Sequence, residues 1–213
     1  VFLLRQALGN PEAAAYPTPD LRLGDEEQAQ GHAALARVLA QRPRAGARRG
    51  VIGVFANATG AKRLETPWWH GFLDTLEQLN THYDLVEIVP AFGRSLLDDR
   101  YPAYFSNDLR KLAGVLSALD ACVIGDCGVM HLSCAVQTPT VGLFVATDPG
   151  EWGPYGPQDR IIQAQRNDPG NTAREFSEIV QHPTSLCADK TTPSAATTWN
   201  DLSRKIECYA LPR

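Results

Sequence analysis

The stretch Asp126-Cys127-Gly128-Val129-Met130-His131 has the residue types of an anion site. It follows a short apolar run and opens a predicted helix. Gly128 lets backbone approach a ligand closely, and the unpaired amides of a helix start attract phosphate. His131 falls one turn into that helix, within reach of the same place. Plainer roles compete, with Asp126 as a simple helix cap and His131 as a packed core histidine. A second stretch, Asn57-Ala58-Thr59-Gly60-Ala61-Lys62, ends another apolar run. Lys62 beside a glycine turn is either a point charge for a diphosphate or an ordinary surface lysine. It is not a P-loop, because the glycine spacing before Gly-Lys-Ser/Thr is missing. A third stretch, Thr147 to Gly156, gathers turn formers around Trp152 and Tyr155. It predicts an ordered loop, with the aromatics serving either a pocket wall or the scaffold.

The elements that must position these residues read as alternating strands and helices. Apolar runs at Val51–Phe55, Leu85–Val89, Ala121–Ile124, Thr140–Val145 and Arg160–Ala164 suit buried parallel strands. Helical spacing of apolar residues marks Asp25–Gln41, with Asp25 as its N-cap, then Pro67–Leu79, Asn107–Leu119 and Gly128–Val136. Asn171–Gln181 and Ala195–Tyr209 read as further helices, and the basic stretch Arg42–Arg49 as a solvated linker. Repeated β-then-α units imply an α/β fold, a Rossmann-like parallel sheet with helices on both faces. In such sheets ligands bind beyond the carboxyl ends of the strands. That rule selects Asn57–Lys62, Pro90–Gly93, Asp126–His131 and Ala146–Trp152.

Composition narrows the partners. A net charge of −4 and a pI near 5.7 argue against a nucleic-acid or polybasic membrane surface. No apolar run approaches the ~20 residues of a membrane span. The 5 cysteines have no CxxC spacing, so neither a disulfide framework nor a structural zinc site is expected, and a reducing cytoplasm fits. Asn10–Asp20, with Pro11, Pro17 and Pro19, reads as a connector. The opening Val1-Phe2-Leu3-Leu4 reads as a trimmed chain or the interior of a longer one.

Together these stretches resemble the ADP-heptose:lipopolysaccharide heptosyltransferases and their relatives in glycosyltransferase family 9. The core of the likeness is Asp126 to Ala135, followed by Thr138-Pro139 and the apolar strand to Phe144. Thr147-Asp148-Pro149 and Gly153-Pro154-Tyr155-Gly156 continue it, and Lys62 with Pro67 and Trp68 looks like the family's Lys-x-Trp-Pro region. The likeness runs from about Tyr16 to Arg160. It implies the C-terminal half of a GT-B architecture. Residues 1–24 would lead out of an N-terminal domain, 25–165 would bind the nucleotide-sugar donor, and 166–213 would form a helical extension. The implied donor-binding residues are Asn57, Thr59, Lys62, Asp126, Cys127, Gly128, His131 and Thr147.

The resemblance also implies inverting transfer from a nucleotide sugar, ADP-heptose for this family, to a lipopolysaccharide or other glycan or lipid-linked acceptor. The catalytic base is expected in the N-terminal domain or on a partner chain. The nucleotide sugar is a substrate, so no cofactor is implied, and without an Asp-x-Asp cluster no metal is expected. Location in the cytoplasm, peripheral to the inner membrane, would follow. Cys127 stands where the family has Thr or Ser, and Val145 where it often has Gly. Asp98, Asp99 or neither replaces its ribose-holding acid. These departures keep two alternatives open, a non-catalytic nucleotide-binding module and a GT-B enzyme using a uridine-linked sugar.

Overall fold

The computed structural model describes residues 19–43, 46, 48–90 and 92–182. The first described helix is α1 (Asp25–Ala40), followed by β1 (Gly50–Phe55) and a 3-10 turn at Gly60–Lys62. Next come α2 (Thr66–Leu79), β2 (Tyr83–Ile88), the two-residue β3 (Ala103–Tyr104), α3 (Leu109–Ser117) and β4 (Ala121–Gly125). α4 (Gly128–Ala135), β5 (Thr140–Phe144), the one-turn α5 (Pro149–Trp152), β6 (Arg160–Gln163) and α6 (Pro169–Gln181) complete the described elements.

Successive side chains on a strand point to opposite faces, and the central strands use both. Ile52, Val54, Leu85, Val123, Val141 and Leu143 pack into one layer, under α2 and α6. Phe55, Val86, Ile88, Cys122, Ile124 and Phe144 pack into the other, under α1, α3 and α4. Helix α2 supplies Trp68, Trp69, Phe72, Leu73 and Leu76 at helical spacing, all buried. The Trp68 and Phe72 rings stack at 5.5 Å, and the Trp69 ring meets Phe72 edge-on at 5.7 Å. Each fully buried side chain of this size contributes about 2 kcal/mol relative to exposure.

All strand pairs are parallel, in the order β3-β2-β1-β4-β5-β6. This is the Rossmann-like parallel sheet expected from the sequence. The chain winds outward from β1 to β3, then returns to lay β4 against β1 and winds the other way. The crevice above β1 and β4, at their carboxyl ends, is therefore the switch point where such sheets bind ligands.

On the far layer α1 and α3 cross at two glycines. A Cβ on Gly31 would lie 1.9 Å from the Gly114 carbonyl oxygen, so this approach requires glycine. The Arg110 guanidinium clasps the Glu27 carboxylate across the same crossing, with its Nη2–H···Oε2 bond at 2.7 Å.

The sequence and the structure differ in particulars. The N-cap of α1 is Gly24, not Asp25. The Gly24 N–H donates to the Glu27 carboxylate at 2.8 Å, and Asp25 joins Glu26 and Glu27 in the first turn, facing the positive helix end. β2 begins at Tyr83 rather than Leu85, because Tyr83 and Asp84 continue the pairing with Gly50 and Val51. β3 has no apolar pattern to betray it, since Ala103 and Tyr104 pair only with Glu87 and Ile88. The helix expected at Asn171–Gln181 begins two residues earlier, as α6 (Pro169–Gln181) packed against α2 and β6. The expected helix Ala195–Tyr209 lies outside the described residues, as do residues 1–18.

Candidate functional site

Lys62 is delivered to the crevice by a tight reversal after β1. Gly60 begins it with φ +58°, a left-handed conformation that glycine adopts without strain. The Lys62 and Arg63 amides then donate to the Thr59 and Gly60 carbonyls, closing the 3-10 turn. Asn57 and Ala58 run against the end of β4, where a Cβ on Gly125 would sit 3.5 Å from Ala58 Cβ and 3.7 Å from the Asn57 carbonyl oxygen. Asn57 is half-buried and Thr59 exposed.

Asp126 follows β4 and is 4% exposed. Its Oδ2 lies 3.5 Å from Lys62 Nζ and accepts the Thr147 hydroxyl from the loop after β5. Three strand ends thus converge on one carboxylate oxygen. Asp126 is not a helix cap, because α4 is capped at Cys127 and has no side-chain cap bond. A carboxylate this deep needs a partner, and Lys62 supplies it. The ammonium keeps 28% of its side chain accessible, and with three donors it can serve Asp126 and an incoming anion together.

Beyond the pair lies the start of α4. The Cys127 backbone is extended (φ −163°) where the chain enters α4, and the Met130 amide closes the first turn onto the Cys127 carbonyl at 3.1 Å. Gly128 is exposed, and a Cβ there would meet nothing within 4 Å. Burial pushes the Cys127 thiol above its ordinary value, so it is a neutral group rather than a thiolate. His131 is half-buried, one turn along, with its ring 6.3 Å from that of Tyr155 at a 31° tilt. Tyr155 and Trp152 are both exposed. Of the residues expected from the sequence, Lys62 and Thr147 both contact Asp126. Cys127, Gly128 and His131 adjoin them through α4, and Asn57 and Thr59 contribute the backbone of the loop.

The loop after β2 is organised by Glu87, which the sequence reading did not single out. Its carboxylate is 0% exposed and accepts from the Ser95 hydroxyl at 2.6 Å and the Leu96 amide at 2.7 Å. Burial holds its pKa above the ordinary range. Asp98 and Asp99 have φ near +54° and +53°. Asp98 Oδ2 lies 3.3 Å from His70 Nε2 on α2, and the Asp99 amide donates to Ser95. Arg166 was also missed. It follows β6 and donates to the Ala61 and Arg63 carbonyls, on either side of Lys62. Nothing in the local sequence marks either residue, since their partners come from distant segments. Among the described residues no three His, Cys, Asp or Glu side chains gather as a metal site, and no helix is long and apolar enough to cross a membrane.

Fold and site together define a doubly wound α/β domain with a lysine–aspartate pair at the crevice of its switch point. Residues 106–179 match the model of glycosyltransferase family 9 (heptosyltransferase). Over 48 residues the chain is 46% identical to lipopolysaccharide heptosyltransferase 1 of Pseudomonas aeruginosa, a stretch covering 22% of this chain and 14% of that protein. The fold is similar to that of E. coli ADP-heptose lps heptosyltransferase II, with TM-score 0.56 and 18% identity, over 79% of this chain and 56% of that one. It is similar to a family 9 glycosyl transferase from Veillonella parvula, with TM-score 0.59 and 13% identity, over 95% and 57%. An E. coli heptosyltransferase solved with ADP gives TM-score 0.50 and 20% identity, over 68% and 48%. At these identities the structural likeness is one of fold. The chain spans about half the length of these solved relatives. These matches support the assignment to glycosyltransferase family 9, heptosyltransferase-like.

Proposed function

We propose that this chain is the donor-binding half of an inverting glycosyltransferase that uses a nucleotide sugar, ADP-heptose, and acts on a lipopolysaccharide or related glycan. The observation that carries this reading is the Lys62–Asp126 pair across the switch point, beside the open helix start at Gly128. In glycosyl transfer negative charge grows on the departing diphosphate. The Lys62 ammonium and the backbone amides of Cys127 and Gly128 would stabilise that charge, and His131 would donate to the same oxygens. Asp126 and Thr147 would hold Lys62 in place, while the Asn57–Thr59 backbone would line the donor side. Val145 and the loop containing Asp98 and Asp99 would shape the nucleoside end. No residue of this chain is assigned as the base that deprotonates the acceptor hydroxyl.

Calorimetric titration of the chain with ADP, UDP and GDP, without added metal, tests the reading. Saturable binding that prefers ADP supports it. A preference for UDP or GDP would change the donor, and no binding to any of the three would refute a preformed donor site.

A further inference from the structure

Arg166 contacts the backbone of the Lys62 turn, whereas Asp126 contacts the tip of the Lys62 side chain. Its Nη1 donates to the Arg63 carbonyl at 3.0 Å and its Nη2 to the Ala61 carbonyl, so one guanidinium holds the carbonyls of the residues before and after Lys62. The planar fork of arginine suits two acceptors at once. The segment that carries Arg166 is itself fixed. The Ala164 amide donates to the Phe144 carbonyl at 2.8 Å, and Trp68 Nε1 donates to the Gln165 carbonyl at 2.8 Å. The Gln165 amide donates to Thr172 Oγ1 at 3.3 Å on α6, whose first turn is capped by Asp168. The connector between β6 and α6 is therefore tied to β5, α2 and α6 before Arg166 reaches across.

We infer that Arg166 is the positioning residue of the donor site, acting through Lys62 rather than on the nucleotide. Lys62 has a long, flexible stem and is held at its tip by Asp126 alone among the described contacts. Directing its ammonium without loss of entropy on binding requires that its backbone be fixed beforehand. The turn has one short 3-10 closure on the Thr59 and Gly60 carbonyls, and the Ala61 and Arg63 carbonyls are occupied by Arg166. This inference rests on the donor-site reading above.

A double-mutant cycle with ADP as the probe separates positioning from direct contact. Arg166→Ala is expected to weaken ADP binding about fivefold in the wild-type background and to have no further effect in Lys62→Ala, where there is no ammonium left to position. Arg166→Gln, which keeps one donor group for the turn, is expected to fall between and guards against a misfolded alanine variant. Equal losses in both backgrounds would overturn the inference, because Arg166 would then act on the nucleotide itself. Wild-type affinity in Arg166→Ala would overturn it as well. Absence of ADP binding to the wild-type chain would instead sink the donor-site reading, and this inference with it.

Discussion

Lys62 and Asp126 belong to different β-α units and meet 3.5 Å apart across the seam between β1 and β4. The two roles of this pair, holding the turn and presenting a cation, are separable. Lys62→Ala leaves a carboxylate that is 4% exposed with the Thr147 hydroxyl as its main partner. The expected cost is about 2 kcal/mol of stability, below the range for fully buried pairs because Lys62 is partly solvated. Loss of ADP affinity should accompany it. In Lys62→Met combined with Asp126→Asn no charge is left unpaired, so chemical denaturation should show stability recovered while ADP titration shows affinity still low. Recovery of both would remove Lys62 from the donor site.

The clasp between α1 and α3 gives a pH dependence of definite sign. The hydrogen bond from Arg110, with that from the Gly24 amide, lowers the Glu27 pKa from 4.5 to about 2. A carboxylate whose pKa is depressed on folding adds stability above its unfolded value and loses it as pH falls. The contribution of Glu27 should therefore be complete above about 4.5 and fade as pH drops toward about 2. Thermal melts of Glu27→Gln should converge on those of the wild type at the acid end and fall below them near neutrality. Parallel curves at every pH would contradict the assignment.

Much of this arrangement was legible in the chain. The strands containing Val51–Phe55 and Ala121–Ile124 are apolar throughout because both faces are covered, and that continuity marks parallel strands. Once the strands were read, the carboxyl-end rule selected the loops that carry Lys62 and Asp126, alongside Pro90–Gly93 and Ala146–Trp152, without any contact information. What stayed hidden depends on partners far apart in sequence. Glu87 reads as a polar interruption in a strand, and its role appears only when Ser95 and Leu96 fold back over it. Gly31 and Gly114 look like weak points in two helices, yet they are where the helices touch. Asp25 had the right chemistry for a cap and the wrong position by one residue, since Gly24 and Glu27 close the helix start between them.

The glycine crossing predicts a sharp steric effect. A Cβ on Gly31 would meet the Gly114 carbonyl oxygen at 1.9 Å, a backbone atom that cannot rotate away. Gly31→Ala must therefore separate α1 from α3, despite the higher helix propensity of alanine. The expected loss is about 2 to 3 kcal/mol in urea unfolding, against a gain of about 1 kcal/mol if propensity alone operated. The sign of the change decides between them.

Cys127 offers a test in the opposite direction, toward gain. It occupies the N-cap of α4 with an extended backbone and makes no side-chain cap bond. Burial keeps its thiol protonated, and a thiol is a weak donor and a weak acceptor. A serine hydroxyl has nearly the same shape and both capabilities in stronger form. Cys127→Ser should raise stability by about 1 kcal/mol through capping of the first amides, seen as a higher urea midpoint at constant slope. The same hydroxyl borders the open space at Gly128, so ADP should bind about threefold more tightly, as expected of one added hydrogen bond of modest net strength. The two effects come from one oxygen without competing for it, because a hydroxyl accepting from the helix amides can still donate its proton outward to a phosphate. Tighter binding with higher stability therefore requires the outward donation. Higher stability with unchanged affinity would place the phosphate away from Cys127, nearer Lys62.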